Sequence, residues 1–182
     1  MSIEDLYKIF TKSNGVVTDS RKINKNCIFF SLKGANFNGN EFAKSAIDNG
    51  AMCAIVDEKK YFHDKKNYIY VEDCLDTLQK LANFHRNKID AKIIGITGSN
   101  GKTTSKELIN SVLKTEFITF CTKGNLNNHI GVPLSLLEIS VETEFAIIEM
   151  GASHVGEIKL LSKIAEPNYG YITNFGKAHL EG

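Results

Sequence analysis

The sequence predicts an α/β protein with parallel sheets in two domains, at residues 1–88 and 89–182. Short runs rich in β-branched and aromatic residues alternate with helical patterns along the whole chain of 182 residues. The order strand, turn, helix, strand suits parallel strands joined by right-handed crossovers. Polar residues follow a helix that ends near Arg86, and a new apolar run then begins. We place the domain boundary at this change.

The first domain is predicted to hold four strands and two helices. Strands are expected at residues 16–18, 27–32, 52–56 and 68–71, where β-branched and aromatic residues cluster. One helix is expected at 40–49, with Gly50 as its stop. The other runs from a cap at Asp73 to Arg86, with apolar residues at helical spacing.

The second domain is predicted to begin with the buried strand Lys92–Thr97, followed by a glycine-containing turn. Further elements follow the same alternation: helices at 102–114, at Pro133 and beyond, and at 157–164, and strands at 117–121, 145–149 and 171–173.

Composition narrows the classes of partner. The formal charge is +1, so we expect no nucleic-acid or anionic-membrane partner, whose usual mark is a strongly basic domain. No apolar run approaches the roughly 20 residues of a membrane span, and the opening MSIEDLYKIF lacks the basic start of a secretory signal. We therefore expect a cytoplasmic protein. The four cysteines lie far apart without a C-x-x-C pair, and we assign them no zinc or redox role.

The strongest motif is GITGSNGKTT, at residues 95–104. A strand delivers the chain into a turn whose N–H groups can converge on phosphate oxygens, and the next helix adds its positive N-terminus. The predicted phosphate-binding residues are Gly98, Ser99, Asn100, Gly101, Lys102, Thr103 and Thr104. Lys102 would reach the outer phosphates and the Thr103 hydroxyl would ligate Mg²⁺. The motif predicts binding of a nucleoside triphosphate, ATP with Mg²⁺.

The loop departs from the common G-x-x-x-x-G-K-[ST] spacing. Ile96 stands where the first glycine would be, and the glycine is at position 98. A chance glycine turn is the alternative, but the preceding strand, the following helix and GKTT together argue against it.

Two further residues could hold metal. Glu149 ends the apolar strand FAIIE, and carboxylates at that end of a parallel strand can bind Mg²⁺ directly or through water. A solvated acid at a strand end is an equal alternative on position alone. His179 follows the last predicted strand, but a lone histidine is more often structural or exposed.

Two polar segments are ambiguous. The asparagines of GNLNNHIG, among them Asn127 and Asn128, could bind a polar substrate, although such residues also favour turns. In TDSR, which contains Ser20 and Arg21, the arginine could meet a phosphate or a surface carboxylate.

Taken together, the motifs resemble the Mur ligases, ATP-dependent enzymes that extend the peptide of the peptidoglycan precursor. The resemblance runs through TDSR, IFFSLKG, AMCAIVDE, VEDCLDTLQKLANFHR, GITGSNGKTT, GNLNNHIGVPLSLL, IIEMGASHVGEI and ITNFGKAHLEG. It implies a uridine-nucleotide-binding N-terminal domain and a central P-loop ATPase domain. Within the family, EMGA and NLNN resemble the member that adds D-alanyl-D-alanine. The sister that adds the third amino acid typically reads E-V-S-S-H and lacks NLNN.

The resemblance also implies roles for single residues. Lys102, Glu149 and His179 would be catalytic, with Thr103 and Glu149 on a first Mg²⁺ and His179 on a second. Asn127 and Asn128 would lie near the muramyl peptide, and Ser20 and Arg21 in the uridine-diphosphate pocket. The substrates would be UDP-N-acetylmuramoyl-tripeptide, which ATP activates as an acyl phosphate, and D-alanyl-D-alanine, whose amine attacks it. We expect a monomer.

Two departures from the family pattern bear on these expectations. Many relatives have Asp-Gly-His where this chain has Asn38-Gly39-Asn40. The family's central domain also continues past the equivalent of Gly182, so we expect a longer enzyme and no ligation by this chain alone. The alternatives are the sister ligase, a UDP-sugar- or nucleotide-binding module without turnover, and an unrelated P-loop kinase or NTPase. The position of Gly98 and the uridine-domain resemblance disfavour the last.

Overall fold

The computed structural model describes residues 1–176. The chain divides into two compact units, the first at Met1–Leu81 and the second from Ala82 onward. The division falls within a helix, a few residues before the predicted boundary at 88/89.

The first unit contains one four-stranded parallel sheet, a small hairpin and flanking helices. In chain order its elements are α1 Ile3–Phe10, β1 Val16–Val17, a 3-10 helix Ser20–Lys22, β2 Ile28–Phe30, β3 Lys33–Gly34, β4 Phe37–Asn38, a 3-10 helix Gly39–Phe42, α2 Ala43–Asp48, β5 Cys53–Val56, a 3-10 helix Lys59–Tyr61, β6 Tyr68–Tyr70 and the start of α3 Cys74–Arg86. The sheet order is β1-β2-β5-β6, and every pair is parallel. Strands β2 and β5 are buried along their length, as central strands of a parallel sheet must be.

Helix α1 and the β3–β4 hairpin of the first unit were not predicted. In α1 the Ser2 side chain accepts a hydrogen bond from the Asp5 N–H, and Leu6 and Phe10 are buried one turn apart. The β3–β4 hairpin pairs only two residues on each side, which is too short for periodicity to reveal. The predicted cap of α3 is confirmed, because the Asp73 carboxylate accepts from the Asp76 N–H at 2.7 Å.

The second unit is built around another parallel sheet. Its elements are the end of α3, β7 Lys92–Thr97, α4 Lys102–Leu113, β8 Thr119–Cys121, α5 Gly131–Leu137, β9 Phe145–Glu149, α6 Glu157–Ala165 and β10 Tyr169–Ile172. The order is β10-β7-β9-β8, with all pairs parallel. The predicted α/β class with parallel sheets is confirmed. Within residues 1–176, no helix is long and apolar enough to cross a bilayer.

The last turns of α3 are held by the second unit. Asn83 donates to the Ile164 carbonyl at 3.0 Å, and the Arg86 Nε donates to the Ala165 carbonyl at 3.1 Å. The His85 ring lies 2.9 Å from the Ile139 carbonyl. These bonds explain why the division precedes the end of the helix.

Gly39, which follows the hairpin of the first unit, offers a test of close packing. A Cβ at Gly39 would lie 2.4 Å from the Leu32 carbonyl oxygen, whereas one at Gly34 would meet nothing within 4 Å. We expect Gly39→Ala to lower the free energy of unfolding by about 1–3 kcal/mol, the usual cost of overpacking. Thermal unfolding followed by circular dichroism measures it, with Gly34→Ala as the matched control. Equal stability of the two variants would contradict the packing.

The second unit should be less stable in mild acid because of His85. Burial lowers the pKa of this imidazole below its ordinary value, against a smaller opposing effect of the Ile139 carbonyl. The unfolded chain therefore binds the proton more readily, and the free energy of unfolding falls as pH drops below about 6.5. The slope is at most about 1.4 kcal/mol per pH unit for one proton. Urea unfolding at several pH values should show a flatter slope for His85→Gln than for the wild type.

Candidate functional site

The carboxyl ends of four parallel strands bring the polar residues of the second unit together. Gly98 follows β7, Thr122 follows β8, Glu149 ends β9 and Thr173 follows β10. Parallel strands end at one edge of their sheet, and ligands of such sheets bind there. Register places Glu149 beside Ile96, one residue before the end of β7. The candidate site lies at this edge.

The turn after β7 depends on glycine. Gly98 has φ +136° and Gly101 has φ +78°, both in the region that favours residues without a Cβ. At Gly98 a Cβ would also lie 2.1 Å from the Thr173 Oγ1. Gly101 caps α4, which begins at Lys102. The predicted strand, glycine turn and helix are all present.

The segment after β10 is hydrogen-bonded to the turn. Thr173 Oγ1 donates to the Asn100 carbonyl at 2.6 Å, and the Asn174 side-chain oxygen accepts from the Asn100 N–H at 3.1 Å. Ser99 Oγ donates to the Gly176 carbonyl at 2.8 Å. The Ser99 N–H also donates to the Asn174 carbonyl at 3.4 Å. The N–H groups of Ser99 and Asn100, which the motif predicts to bind phosphate, are thus hydrogen-bonded to Asn174. These bonds form because β10 lies next to β7.

Positive charge is concentrated at the start of α4. The Lys102 ammonium donates to the Gly98 carbonyl at 2.7 Å, which places it across the turn. Thr103 and Thr104 follow in the first turn of the helix, whose N–H groups have no acceptor within the helix. Together with the helix dipole, these groups suit an anion such as a phosphate.

Glu149 is buried and is held by side chains from three segments. Its Oε2 accepts from Thr103 Oγ1 at 3.0 Å, and its Oε1 accepts from the Asn127 amide at 2.9 Å. Its own N–H donates to Thr122 Oγ1 at 3.0 Å. Only 2% of the residue is exposed, so it is not a solvated acid at a strand end. Its contacts favour the alternative in which Glu149 holds Mg²⁺.

Lys106, one turn further along α4, completes this group. It is 1% exposed, its ammonium donates to the Thr122 carbonyl at 2.6 Å, and it lies 3.7 Å from the Glu149 Oε2. The charge of the buried carboxylate is therefore balanced inside the protein.

The donor set fits Mg²⁺ bound with a nucleotide. Thr103 and Glu149 offer a hydroxyl and a carboxylate oxygen, the hard ligands that Mg²⁺ takes beside phosphate and water. Within residues 1–176, no three or more His, Cys, Asp or Glu side chains gather as a metal cluster. Mg²⁺ sites on substrate phosphates need only one or two carboxylates, so the two protein ligands suffice.

The asparagine-rich segment forms the turn that was one of its two predicted alternatives, and binding of a polar substrate stays a prediction. Asn128 is a turn residue, because its side-chain oxygen accepts from the Ile130 and Gly131 N–H groups at the start of α5. Asn127 instead reaches Glu149. Its amide occupies the space beside Gly151, where a Cβ would lie 3.0 Å from the amide carbon. Asn127 of NLNN and Gly151 of EMGA are thus packed closely against each other.

In the first unit, Ser20 and Arg21 begin a short 3-10 helix capped by Asp19. The Arg21 guanidinium forms a two-point ion pair with the Asp19 carboxylate, at 2.9 and 2.8 Å. Hydrogen bonds from Arg21 lower the pKa of Asp19 to about 2. Of the two partners considered for Arg21, the structure shows the carboxylate, and the phosphate role stays a prediction.

The Asn38-Gly39-Asn40 segment has a structural role. Asn40 is fully buried and exchanges two hydrogen bonds with Asp57, at 2.8 and 3.1 Å. Burial alone would raise the pKa of Asp57, but the bonds from Asn40 and Lys33 bring it below its ordinary value. Here asparagine ties the hairpin to the end of β5.

The structure thus gathers Gly98–Thr104, Glu149 and Asn127 at one edge. His179 lies outside the described residues, so its predicted role is not addressed. Sequence reasoning missed Lys106, Thr122, Thr173 and Asn174. Three of these follow strand ends, which was an available signal, and Lys106 stands one helical turn after Lys102.

Two family profiles match the chain. The profile of the Mur ligase middle domain matches residues 96–182, and that of the Mur ligase family catalytic domain matches residues 12–86. The chain belongs to the Mur ligase family. Both units of this Mur ligase chain are thereby covered, the first by one profile and the P-loop unit by the other.

Several curated relatives of this Mur ligase chain share one name. It is 42% identical over 173 residues to the UDP-N-acetylmuramoyl-tripeptide–D-alanyl-D-alanine ligase of Bacillus subtilis, covering 94% of this chain and 38% of that relative. MurF from Acinetobacter baumannii is similar in structure, with a TM-score of 0.87 at 34% identity over 98% of this chain and 42% of that one. MurF from Thermotoga maritima in complex with ADP gives 0.77 at 36% identity, over 87% and 36%. The chain spans about two fifths of these proteins.

The turn after β7 can be tested through its first glycine. We expect Gly98→Ala to destabilise the second unit by about 2–4 kcal/mol, because a Cβ there combines backbone strain with a clash against Thr173. Gly170→Ala, on the neighbouring β10, is the control because its Cβ would meet nothing within 4 Å. Urea unfolding compares the two variants, and a Gly98→Ala variant as stable as the control would contradict the described turn.

Proposed function

We propose that this chain provides the substrate-binding and ATP-binding units of an ATP-dependent amide ligase of peptidoglycan precursor synthesis. The ligase would add D-alanyl-D-alanine to UDP-N-acetylmuramoyl-tripeptide. The observation that carries the proposal is the Lys102–Thr103–Glu149 group at the end of a P-loop strand, in a chain whose curated relatives bear the name of this ligase.

ATP would bind at the turn of residues 98–101 and the start of α4. The Lys102 ammonium is close enough to exchange the Gly98 carbonyl for the outer phosphates. Thr103 and Glu149 would hold Mg²⁺, which when bound neutralises charge on the phosphates. The ADP complex of the Thermotoga maritima relative supports an adenine nucleotide.

The proposed reaction is acyl activation followed by amide formation. A carboxylate oxygen of the tripeptide attacks the γ-phosphorus of ATP, and ADP leaves. The amine of D-alanyl-D-alanine then attacks the acyl carbon, phosphate leaves, and the amine loses a proton. Carboxylate and triphosphate repel each other, so the residues of this chain contribute by bringing positive charge and hydrogen-bond donors to the site. His179 is proposed as a ligand for a second Mg²⁺.

The UDP-linked substrate would bind to the first unit. Residues of the β3–β4 hairpin and the following 3-10 helix line a cleft of about 510 Å³. Phe37 and Phe42 stack there with ring centroids 5.3 Å apart, and the Lys33 ammonium in the lining is paired with Asp57 at 3.0 Å. The aromatic rings suit a nucleoside base. Ser20 and Arg21 remain proposed members of the pocket, and Asn127 and Asn128 proposed neighbours of the peptide.

The sister ligase that adds the third amino acid is the second candidate. The packing of Asn127 against Gly151 favours the dipeptide-adding ligase, because the Ser of E-V-S-S would place a Cβ against the amide. A cytoplasmic location and a monomeric state are part of the proposal, as a UDP-linked precursor and ATP are both cytoplasmic small molecules.

Lys102→Ala separates the two proposed sites. We expect it to weaken ATP binding by about 10- to 100-fold, which corresponds to the loss of one or two charge-assisted hydrogen bonds. Binding of UDP-N-acetylmuramoyl-tripeptide should be unchanged, because its site lies on the other unit. Isothermal titration calorimetry of the 182-residue chain measures both affinities.

Lys114→Ala is the control, since Lys114 is exposed at the other end of α4. Simultaneous loss of both ligands in Lys102→Ala would contradict two separate sites. Unchanged ATP binding would refute the P-loop assignment.

A further inference from the structure

Lys106 is the buried charge that the proposed chemistry does not use. It lies on α4, three residues after Thr103, and is 1% exposed. Burying an ammonium is costly unless it is paired and hydrogen-bonded, so a lysine in this position needs partners. Its ammonium donates to the Thr122 carbonyl at 2.6 Å and faces the Glu149 carboxylate.

The contact with Glu149 has the geometry of an ion pair without a direct hydrogen bond. The 3.7 Å between Nζ and Oε2 exceeds hydrogen-bond length, while Thr103 Oγ1 donates to the same oxygen at 3.0 Å. The ammonium therefore balances the charge of the carboxylate without replacing Thr103 on its oxygen. A second carboxylate, on Glu107, lies 3.2 Å from the ammonium, but its side chain is 59% exposed and solvent screens it.

Thr122 forms hydrogen bonds with both Lys106 and Glu149 and so provides a second link between them. Its carbonyl accepts from Lys106 and its hydroxyl accepts from the Glu149 N–H at 3.0 Å. The residue is fully buried. Lys106, Thr122 and Glu149 thus form a closed group joining α4, the end of β8 and the end of β9.

We propose that Lys106 is a positioning residue that holds the Glu149 carboxylate at the Mg²⁺ position. This inference rests on the proposed nucleotide function. Lys106 acts through Glu149 and does not contact the nucleotide. Loss of a group that orients a metal ligand typically costs about 10- to 100-fold in metal affinity.

The test measures ATP binding by the 182-residue chain with excess Mg²⁺ and with EDTA. The ratio of the two affinities isolates the contribution of the metal. In Lys106→Met we expect this ratio to fall about 10- to 100-fold, while the affinity in EDTA stays within about threefold of wild type because the turn and Lys102 are intact. Lys114→Met, on the exposed end of the same helix, should leave both values unchanged.

Two results would overturn the proposed role of Lys106, and a third would refute ATP binding by this chain instead. An equal loss in EDTA would mean that Lys106 supports the phosphate turn itself. An unchanged ratio with lower stability would mean a purely structural lysine. A wild-type chain that fails to bind ATP would refute the proposed function instead, and the next measurement then decides the Lys106–Glu149 link.

That measurement is a double-mutant cycle on urea unfolding without nucleotide. Lys106→Met leaves Glu149 buried and unpaired, so it should destabilise the wild type more than it destabilises Glu149→Gln. The double variant should fold even if Lys106→Met alone does not. Equal effects of Lys106→Met in both backgrounds would show that the two residues do not act together.

Discussion

The second unit depends on holding one carboxyl side chain, that of Glu149, inside the protein. The interior disfavours a lone charge, so this side chain must be surrounded by donors and by an opposite charge. Thr103 and Lys106 of α4, Thr122 after β8, and Asn127 supply these, so separate parts of the chain meet at one side chain. The parallel sheet makes the arrangement possible, because its strands all end at one edge.

The same constraint explains several local features. Gly98 is needed because Thr173 occupies the space beside it, and Gly151 because the Asn127 amide does. The Asn128 side-chain oxygen accepts from the Ile130 and Gly131 N–H groups and thereby fixes the turn next to Asn127. A residue that contacts no ligand can thus be as specifically required as one that does. In the first unit, Asn40 and Asp57 have a comparable role between the hairpin and β5.

Much of the candidate site was predictable because its motif is local. The P-loop residues are consecutive, and β7 and β9 were predicted with the bounds that they have, since continuous apolar runs mark buried strands. The β3–β4 hairpin and α1 were missed. The hairpin is too short for periodicity, and α1 was passed over although Ser2 and the spacing of Leu6 and Phe10 were available signals.

The sequence by itself determined the fold class, the phosphate-binding turn and the resemblance to the Mur ligases, since each depends on neighbouring residues or on a fixed spacing. Only the tertiary structure decided that Glu149 is a buried partner of Thr103 and not a solvated acid, and that Lys106 and Thr122 belong with it. These contacts join residues 16 to 46 positions apart. No local pattern encodes such contacts, because they arise only when strands that are distant in sequence pair in register.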